Sequence, residues 1–398
     1  MLYLAYKNLI SKPLNTTLSV LLLMLSISLA TFVLQVRNQL NQHLEKNIKP
    51  FDMVIGAKGS PLQLVLSSVL HIDNPTGNIP FKEALKISKN PMVKEITAVS
   101  YGDNYKGVRI LGTPIEYLTK YNAKLREGKL YEKPFEVVIG NYVAKKNNLS
   151  VGDTFVSAHG LAENELEKHN EKPFVVTGIL KPTGLIIDDL IITNLESIWE
   201  VHEHEDEHIH HEEEHDEQRE VTSLLVKFRN PIGALQMSGH INKNTTMQAA
   251  LPKFEIERLM KFLGIGFKTI NGIAIAILLV AGLSIFFNLI KTVRERKQEL
   301  ALLRTYGANT LQLVKLVFLE ALFLSLLGSV LGWLIGRISL WFFSTFAQNL
   351  YGYHFVFSPP NNRELIVLIL VILTTLLAAI LASLSLFKLN VSKTISNA

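Results

Sequence analysis

The apolar residues of this chain are gathered into four runs, at 14–36, 269–290, 311–343 and 363–387, and no other feature constrains its fold so strongly. Each run is long enough to cross the roughly 30 Å hydrocarbon layer as a helix. Lipid offers the backbone no hydrogen-bond partners, so a spanning segment of this kind has to be helical. The first run stands alone, and the other three follow one another closely near the C-terminal end. Between them lie residues 37–268, polar enough to fold in water. The expected architecture is an α-helical membrane protein with four transmembrane helices and one large α+β extracytoplasmic domain inserted between helices 1 and 2.

Charge sets the orientation. Lys7 and Lys12 precede the first run, Lys388 and Lys393 follow the last, and the connection 291–310 carries Lys291, Arg294, Arg296, Lys297 and Arg304 against Glu295 and Glu299. Positive charge in short loops marks the cytoplasmic side. Residues 1–13, 291–310 and 388–398 are therefore expected in the cytoplasm, and 344–362 forms a short outer loop. A cleaved signal peptide is the competing reading of the first run, with Ser28-Leu29-Ala30 as its cleavage site. The run exceeds the ~7 to 15 residues of a signal core, which favours a retained span.

Of the 398 residues 48% are hydrophobic and the net charge is +5, with no basic block interleaved with aromatics, so nucleic acid is not an expected partner. The chain has no cysteine. An exported domain then folds without disulfides, and any metal site has to use imidazole and carboxylate ligands.

Read as a helix, the connection 291–306 places Leu300, Leu303 and Tyr306 on one stripe and Arg294, Lys297 and Gln298 on the other face. Gly307 supplies the stop. A short amphipathic cytoplasmic helix held between two spans suits docking into a partner's groove. The alternative is a positive-inside loop whose leucines pack on their own bundle. In the next span Gly328, Gly332 and Gly336 recur every four residues, which lets two helices approach closely. Glu320 in the same span calls for an ion pair, with Lys315 or Arg304 as candidates. Trp333, Trp341, Phe342 and Phe343 read as an aromatic belt with Arg337 snorkelling to the surface.

Arg294, Arg296, Glu299, Leu303, Arg304 and Gly307, followed by Glu320 and those glycines, resemble the signature of the FtsX and MacB-type permeases. These are membrane subunits of ABC transporters and include the cell-division permease, the macrolide exporter and the lipoprotein-releasing permeases. The words EVVIGNYVAKKNNLSVGDTF and FVVTGILKPTGLIIDDLIITNLESIWEVHE resemble the MacB-type extracytoplasmic core domain. The resemblance implies a non-enzymatic subunit of the bacterial inner membrane, working as a homodimer with a separate cytoplasmic ATPase that binds the ATP. The six residues 294, 296, 299, 303, 304 and 307 would form the coupling helix that receives the ATPase's movement.

Within 37–268, short β-branched segments alternate with turns, at 95–100, 107–111, 135–139, 154–157, 174–180 and 186–192, with a helix at 141–148. In 51–80, Gly56, Gly59 and Pro61 read as a flexible turn. Leu62, Val65, Leu66, Val69 and Leu70 then recur at helical spacing, predicting a short helix on the outer membrane surface or against the spans. His71, Asp73 and Asn74 follow, as metal ligands or as solvated and capping groups. Residues 231–261 read as helix and turn leading back to the bilayer.

Residues 200–220 hold six of the twelve histidines, His202, His204, His208, His210, His211 and His215, interleaved with Asp and Glu. Imidazole and carboxylate are ligands for divalent transition metals, and on a helix His204, His208, His211 and His215 would share one face. A repetitive string favours weak multi-site capture, zinc first, with nickel and copper(II) open. The alternative is a solvated low-complexity insertion.

The sequence has no GxxxxGK[S/T] phosphate loop, no GxSxG and no HExxH. The expected function is a permease subunit of an ATP-driven ABC transporter of the mechanotransmission type, linked to a divalent metal or metal chelate, with room for a periplasmic metal-binding or adaptor protein. A lipoprotein, lipid or drug exporter is one alternative. A mechanical regulator of an extracytoplasmic enzyme, moving no substrate, is another.

Overall fold

The computed structural model describes residues 2–11, 13–159, 172–203, 219–295, 302, 304–351 and 359–387. The chain divides into two compact units, Met1–Leu40 with Phe262–Ala398, and Asn41–Lys261. It opens with a short helix, α1 (Leu2–Ser11), and a long one, α2 (Pro13–Ile48), which stops just before Pro50. At 1.5 Å per residue the 36 residues of α2 extend about 54 Å, well beyond a hydrocarbon layer.

The globular unit is built on strands β1 (Met53–Ala57), β2 (Ile79–Pro80), β3 (Val93–Tyr105), β4 (Val108–Gly112), β5 (Leu125–Gly128), β6 (Glu136–Ile139), β7 (Thr154–Phe155), β8 (Ala158–His159), β9 (Phe174–Leu180), β10 (Ile191–Thr193), β11 (Glu220–Val221), β12 (Ser223–Phe228) and β13 (Met247–Ala250). Its helices are α3 (Pro61–Ser68), α4 (Phe81–Lys86), α5 (Glu116–Lys120), α6 (Asn141–Asn147), α7 (Leu195–Glu203) and α8 (Pro231–Asn244). One mixed sheet runs in the order β13-β1-β12-β3-β4-β10-β6-β9-β5, with β7 added on β9 and β8 on β3. The pairs β4–β10 and β6–β9 are parallel.

Two apolar clusters lie along this sheet. Met53, Ile55, Val93, Ala98, Leu224, Val226, Met237 and Ile241 belong to the first. Val108, Ile110, Val137, Ile139, Val143, Phe155, Phe174 and Ile191 belong to the second. The strand common to both is β3: Val93 and Ala98 enter the first cluster, and Tyr105 packs against the second. Its pairing with β4 shifts register between Tyr101 and Asn104.

Among the described residues seven strands occupy places where the sequence pattern predicts none, the short β2, β5, β8 and β11 and the longer β1, β12 and β13. β1 replaces the start of the expected turn at Gly56, β12 follows the histidine run, and β13 lies within the stretch expected as helix and turn. The short helix expected on the outer membrane surface or against the spans is instead a helix of the globular unit, with its apolar side buried. Ser60 caps α3 by accepting from the Gln63 N–H, and Leu64 and Val65 are 1% and 0% exposed.

The chain then continues into α9 (Pro252–Glu295), α10 (Thr310–Tyr351) and α11 (Asn362–Phe387). With α2 these make four helices long and apolar enough to span, over Thr16–Ile48, Pro252–Phe287, Thr310–Phe346 and Asn362–Leu384. Both α9 and α10 overrun the apolar segments that define them in sequence, since α9 begins well before 269 and α10 continues past 343. Leu23, Ile27, Ala281, Ile285, Leu313, Val317, Ala321, Val371 and Ala379 form the bundle's buried centre. The close helix pair foreseen from the glycines is α10 against α2. A Cβ on Gly332 would sit 2.8 Å from the Met24 carbonyl oxygen and 2.8 Å from Ile27 Cβ, and one on Gly336 would sit 2.8 Å from the Ser28 carbonyl. Without a hydrophobic force between helices in lipid, such backbone proximity is what holds a pair together.

Candidate functional site: the coupling turn and the buried polar contacts

The turn between α9 and α10 is built by local chemistry. Arg294 lies exposed in the last turn of α9. Arg296, Glu299 and Leu303, with Lys297, Gln298, Leu300 and Ala301, fall outside the described residues. On the far side the Tyr306 N–H donates to the Leu302 carbonyl at 3.0 Å and the Gly307 N–H to the Arg304 carbonyl at 3.1 Å. Gly307 takes φ +95, the left-handed region where a side chain is strained, and so closes the helical turn. Two residues on, Asn309 and Gln312 cap α10 reciprocally: Gln312 N–H donates to Asn309 Oδ1 and Asn309 N–H to Gln312 Oε1, both at 2.9 Å. Sequence reasoning missed this box, although Asn-x-x-Gln before an apolar run is its signature. Leu302 and Tyr306, one helical turn apart, are 49% and 87% exposed. The turn therefore presents an exposed cation at one end and two exposed apolar side chains at the other.

Further into the bundle, Glu320 is 4% exposed. Its carboxylate accepts from Asn8 Nδ2 on α1, a contact the sequence reading did not anticipate, and Lys315, one expected partner, is exposed.

At the outer end Arg337 does not snorkel. It is 3% exposed and pairs with Glu364, itself 1% exposed, at 3.7 Å. Glu364 Oε2 also accepts from Trp333 Nε1 at 2.9 Å, and Oε1 accepts from Gln35 Nε2 on α2 and from the Asn361 N–H at 3.2 Å. The Arg337 guanidinium lies 5.0 Å from the Trp333 ring centroid. Gln39 Nε2 extends the chain of contacts by donating to Gln35 Oε1 at 3.3 Å. The tryptophan expected in an interfacial belt is thus a hydrogen-bond donor to a buried carboxylate.

In the globular unit His71 is also buried, at 6% exposure with φ +53. Its Nε2 faces the Tyr117 hydroxyl at 2.7 Å and its Nδ1 the Tyr101 hydroxyl. Tyr101 donates its own proton to the Ser67 carbonyl at 2.7 Å, so Nδ1 carries the imidazole proton and Nε2 accepts from Tyr117. Burial first, and the nearby Arg109 charge second, push the His71 pKa down to about 3. With both nitrogens engaged, His71 is a satisfied core histidine and not a metal ligand. Asp73, its neighbour in sequence, instead accepts from the Asn74 N–H at 2.7 Å.

Of the histidine run, His202 lies at the end of α7, its side chain undescribed, and His204, His208, His210, His211 and His215 lie outside the described residues. Among the described residues no group of three or more His, Asp and Glu side chains is placed to hold a metal. The flanks of the run are described. The Arg219 guanidinium lies 4.8 Å from the centroid of Trp199, and Trp199 Nε1 donates to the Glu220 carbonyl at 2.7 Å. These contacts join the residues that flank the run on either side.

Four apolar helices, a large α/β domain between the first and second, and a capped basic turn between the second and third define a multi-pass membrane protein of the permease class. Residues 16–242 match the family model for the MacB-like periplasmic core domain and residues 271–391 that for the FtsX-like permease C-terminal region. The chain belongs to the FtsX/MacB permease family, whose place is the inner membrane with the core domain on the periplasmic side. It is 25% identical over 282 residues to an uncharacterized ABC transporter permease of Methanocaldococcus jannaschii, covering 66% of each chain. It is 21% identical over 295 residues to the lipoprotein-releasing system transmembrane protein LolC of Neisseria meningitidis serogroup B, covering 67% of this chain and 65% of LolC. It thus spans just under two thirds of the length of these curated relatives. The crystal structure of the periplasmic region of MacB from Actinobacillus actinomycetemcomitans aligns with a TM-score of 0.35 at 13% identity, over 55% of this chain and 97% of that one.

Proposed function

We propose that this chain is the membrane subunit of an ABC transporter, working as a homodimer with a cytoplasmic ATPase and relaying ATP-driven movement to its extracytoplasmic domain. Nucleotide chemistry comes from outside these 398 residues, which hold no phosphate loop. The observation that carries the reading is the turn between α9 and α10, fixed by Gly307 and by the Asn309–Gln312 box while Arg294, Leu302 and Tyr306 stay exposed. A capped helix start preceded by exposed apolar and cationic side chains is what a groove on a moving partner can grip. The boundary between the compact units falls within α2 and within α9, so two continuous helices link spans to domain. Movement at the turn reaches the domain through hydrogen-bonded backbone.

The test is co-purification of an ATPase with the full chain in detergent. Arg294→Glu combined with Arg296→Glu is expected to abolish recovery of the ATPase while the permease remains folded. Undiminished recovery overturns the docking assignment.

For the substrate, kinship with a lipoprotein-releasing protein favours a lipoprotein or lipid cargo, handled at the outer face. The histidine run favours a divalent metal or metal chelate, with zinc held by His202, His204, His208, His210, His211 and His215. Deleting 201–217 and measuring cellular metal content and metal tolerance separates the two, because only the metal reading expects a change. If neither lipoprotein traffic nor metal content responds to loss of the permease, the readings left are a lipid or drug exporter and a mechanical regulator that moves no cargo.

A further inference from the structure

We propose that His43 and Asn47, one turn apart on α2, form the joint by which the β9–β10 loop of the globular unit follows that helix. Every residue of the joint lies within Asn41–Lys261, inside a single compact unit. Its chemistry begins at a helix end. Asn47 is 0% exposed, and its Nδ2 donates to the His43 carbonyl at 2.9 Å within α2, which leaves Oδ1 as the acceptor for a group from elsewhere. That oxygen takes the Ile186 N–H at 2.9 Å, from 139 residues further along the chain. The His43 imidazole donates to the Gly184 backbone carbonyl in the same loop. The Asn47 carbonyl is among the last four of the helix and so lacks an intrahelical partner. It accepts from the Tyr121 hydroxyl at 3.3 Å.

The loop that receives these contacts is bonded within itself and to the strands behind it. The Asp188 carboxylate accepts from the Thr183 and Gly184 N–H groups at 2.9 and 2.8 Å and from Thr183 Oγ1 at 3.0 Å. Gly140, at the start of α6, donates its N–H to the Leu190 carbonyl at 2.9 Å, and a Cβ there would sit 2.2 Å from the Asp188 carbonyl oxygen. The loop ends in β9 and β10, whose Val176, Ile179 and Ile191 belong to the second apolar cluster. The first cluster meets α2 differently. The chain runs on from the helix to Asp52, whose N–H donates to the Val226 carbonyl at 2.9 Å and whose carboxylate accepts from the Phe228 N–H at 2.9 Å, both on β12. The first cluster therefore follows α2 through continuous backbone, and the second, remote in sequence, follows it through the joint. As a step in transport this role rests on the transporter reading above.

The chain has no cysteine, so paired spin labels can be introduced without background. Three exposed positions serve: Glu45 on α2, Lys145 on α6 beside the second cluster, and Lys243 on α8 beside the first. In nanodiscs, with labelled chain diluted in unlabelled chain, distances are measured for Glu45→Cys with Lys145→Cys and for Glu45→Cys with Lys243→Cys. Both distributions are expected to be narrow. In His43→Leu/Asn47→Leu/Ile186→Pro, which removes the Ile186 donor together with its acceptor, the 45/145 distribution is expected to broaden roughly twofold and the 45/243 distribution to keep its width. Proline suits position 186, the first residue of a short helical turn after an extended Leu185. A 45/145 width equal to the parent's, or equal broadening of both pairs, overturns the joint. His43→Gln/Asn47→Asp keeps a donor at one position and an acceptor at the other, and is expected to retain the parent's widths. Broadening there as large as in the triple variant assigns the effect to packing and also sinks the joint.

These measurements need no nucleotide, so they stand apart from the transporter reading. In a second arm, with partner ATPase and ATP present, Lys145→Cys alone reports the distance between two copies of the chain. That distance is expected to shift in the parent and to stay fixed in the triple variant while ATP hydrolysis continues. An equal shift in both refutes transmission through the joint. Absence of a shift in the parent counts against the transporter reading and leaves the joint to be decided by the first arm.

Discussion

One buried polar cluster in each unit shows how differently such groups are satisfied. Around Glu364 the bundle encloses a full ion pair, a carboxylate at 1% exposure against a guanidinium at 3%. Around His71 the globular unit encloses no charge of its own, since the imidazole is held neutral between two phenols that burial keeps protonated. The difference lies in what each site can supply. α10 and α2 bring donors that complete a carboxylate's shell. The pocket around His71 brings hydroxyls, and the Arg109 guanidinium beside it disfavours a second positive charge. Glu364 is buried together with its counter-charge, whereas His71 is held neutral by burial between its two phenol partners.

Breaking the charged cluster is expected to have the largest effect. Glu364→Ala strands Arg337, and one-sided loss of a buried pair costs about 3 to 5 kcal/mol, read as a lowered thermal midpoint in detergent or as lost folded yield. Next is Gly332→Leu, whose side chain has no room against Met24 and Ile27. Overpacking of that kind costs about 1 to 3 kcal/mol, and the same melt checks it. His71→Ala leaves the Tyr117 hydroxyl without its acceptor, at about 1 to 3 kcal/mol.

The neutral cluster also has a pH signature. The folded His71 pKa of about 3 lies below its ordinary 6.5, so the unfolded chain binds the extra proton. Its contribution is therefore complete above pH 6.5 and is lost as pH falls toward 3, at up to ~1.4 kcal/mol per pH unit. His71→Gln is expected to flatten that limb of a stability–pH curve. Asp189 acts with the opposite sign. Burial first and Asp188 second push it from 3.8 up to about 7, so its stabilising effect is whole below pH 3.8 and declines as pH rises through 7. Asp189→Asn is then expected to raise the melting midpoint at pH 8 and to leave it unchanged at pH 4. The smallest effect is expected from replacing 204–217 by a short Gly-Ser link, which leaves Trp199 and Arg219 in place. The midpoint should stay where it is, and a fall would assign the run a part in holding the fold.

The spans, their order and the strands at Phe174–Leu180 and Glu136–Ile139 were legible because period and length speak clearly there. β1 and β12 were not, for a physical reason: their residues are buried on both faces, with hardly an exposed position, so no alternation marks them. β1 also contains Gly56, which reads as a break. α3 shows the converse, since its apolar stripe was read correctly but not the surface that covers it, the core of the globular unit. Arg337 was assigned to the interface because an arginine among aromatics usually reaches for water. Its partner lies 27 residues away on another helix, and no local pattern announces such a pair. The turn at Gly307 was legible because glycine's freedom is local, whereas the carboxylate that organises the outer end was not.

The shared strand β3 carries one more consequence. Because a single run of backbone, Val93–Tyr105, floors both apolar clusters, neither cluster has a boundary at which the domain could be cut and still fold. A fragment ending before β4 would leave half of that plank bare on one edge, and a fragment starting after it would lack the plank altogether. A cut on either side of that strand is therefore expected to cost the domain its fold.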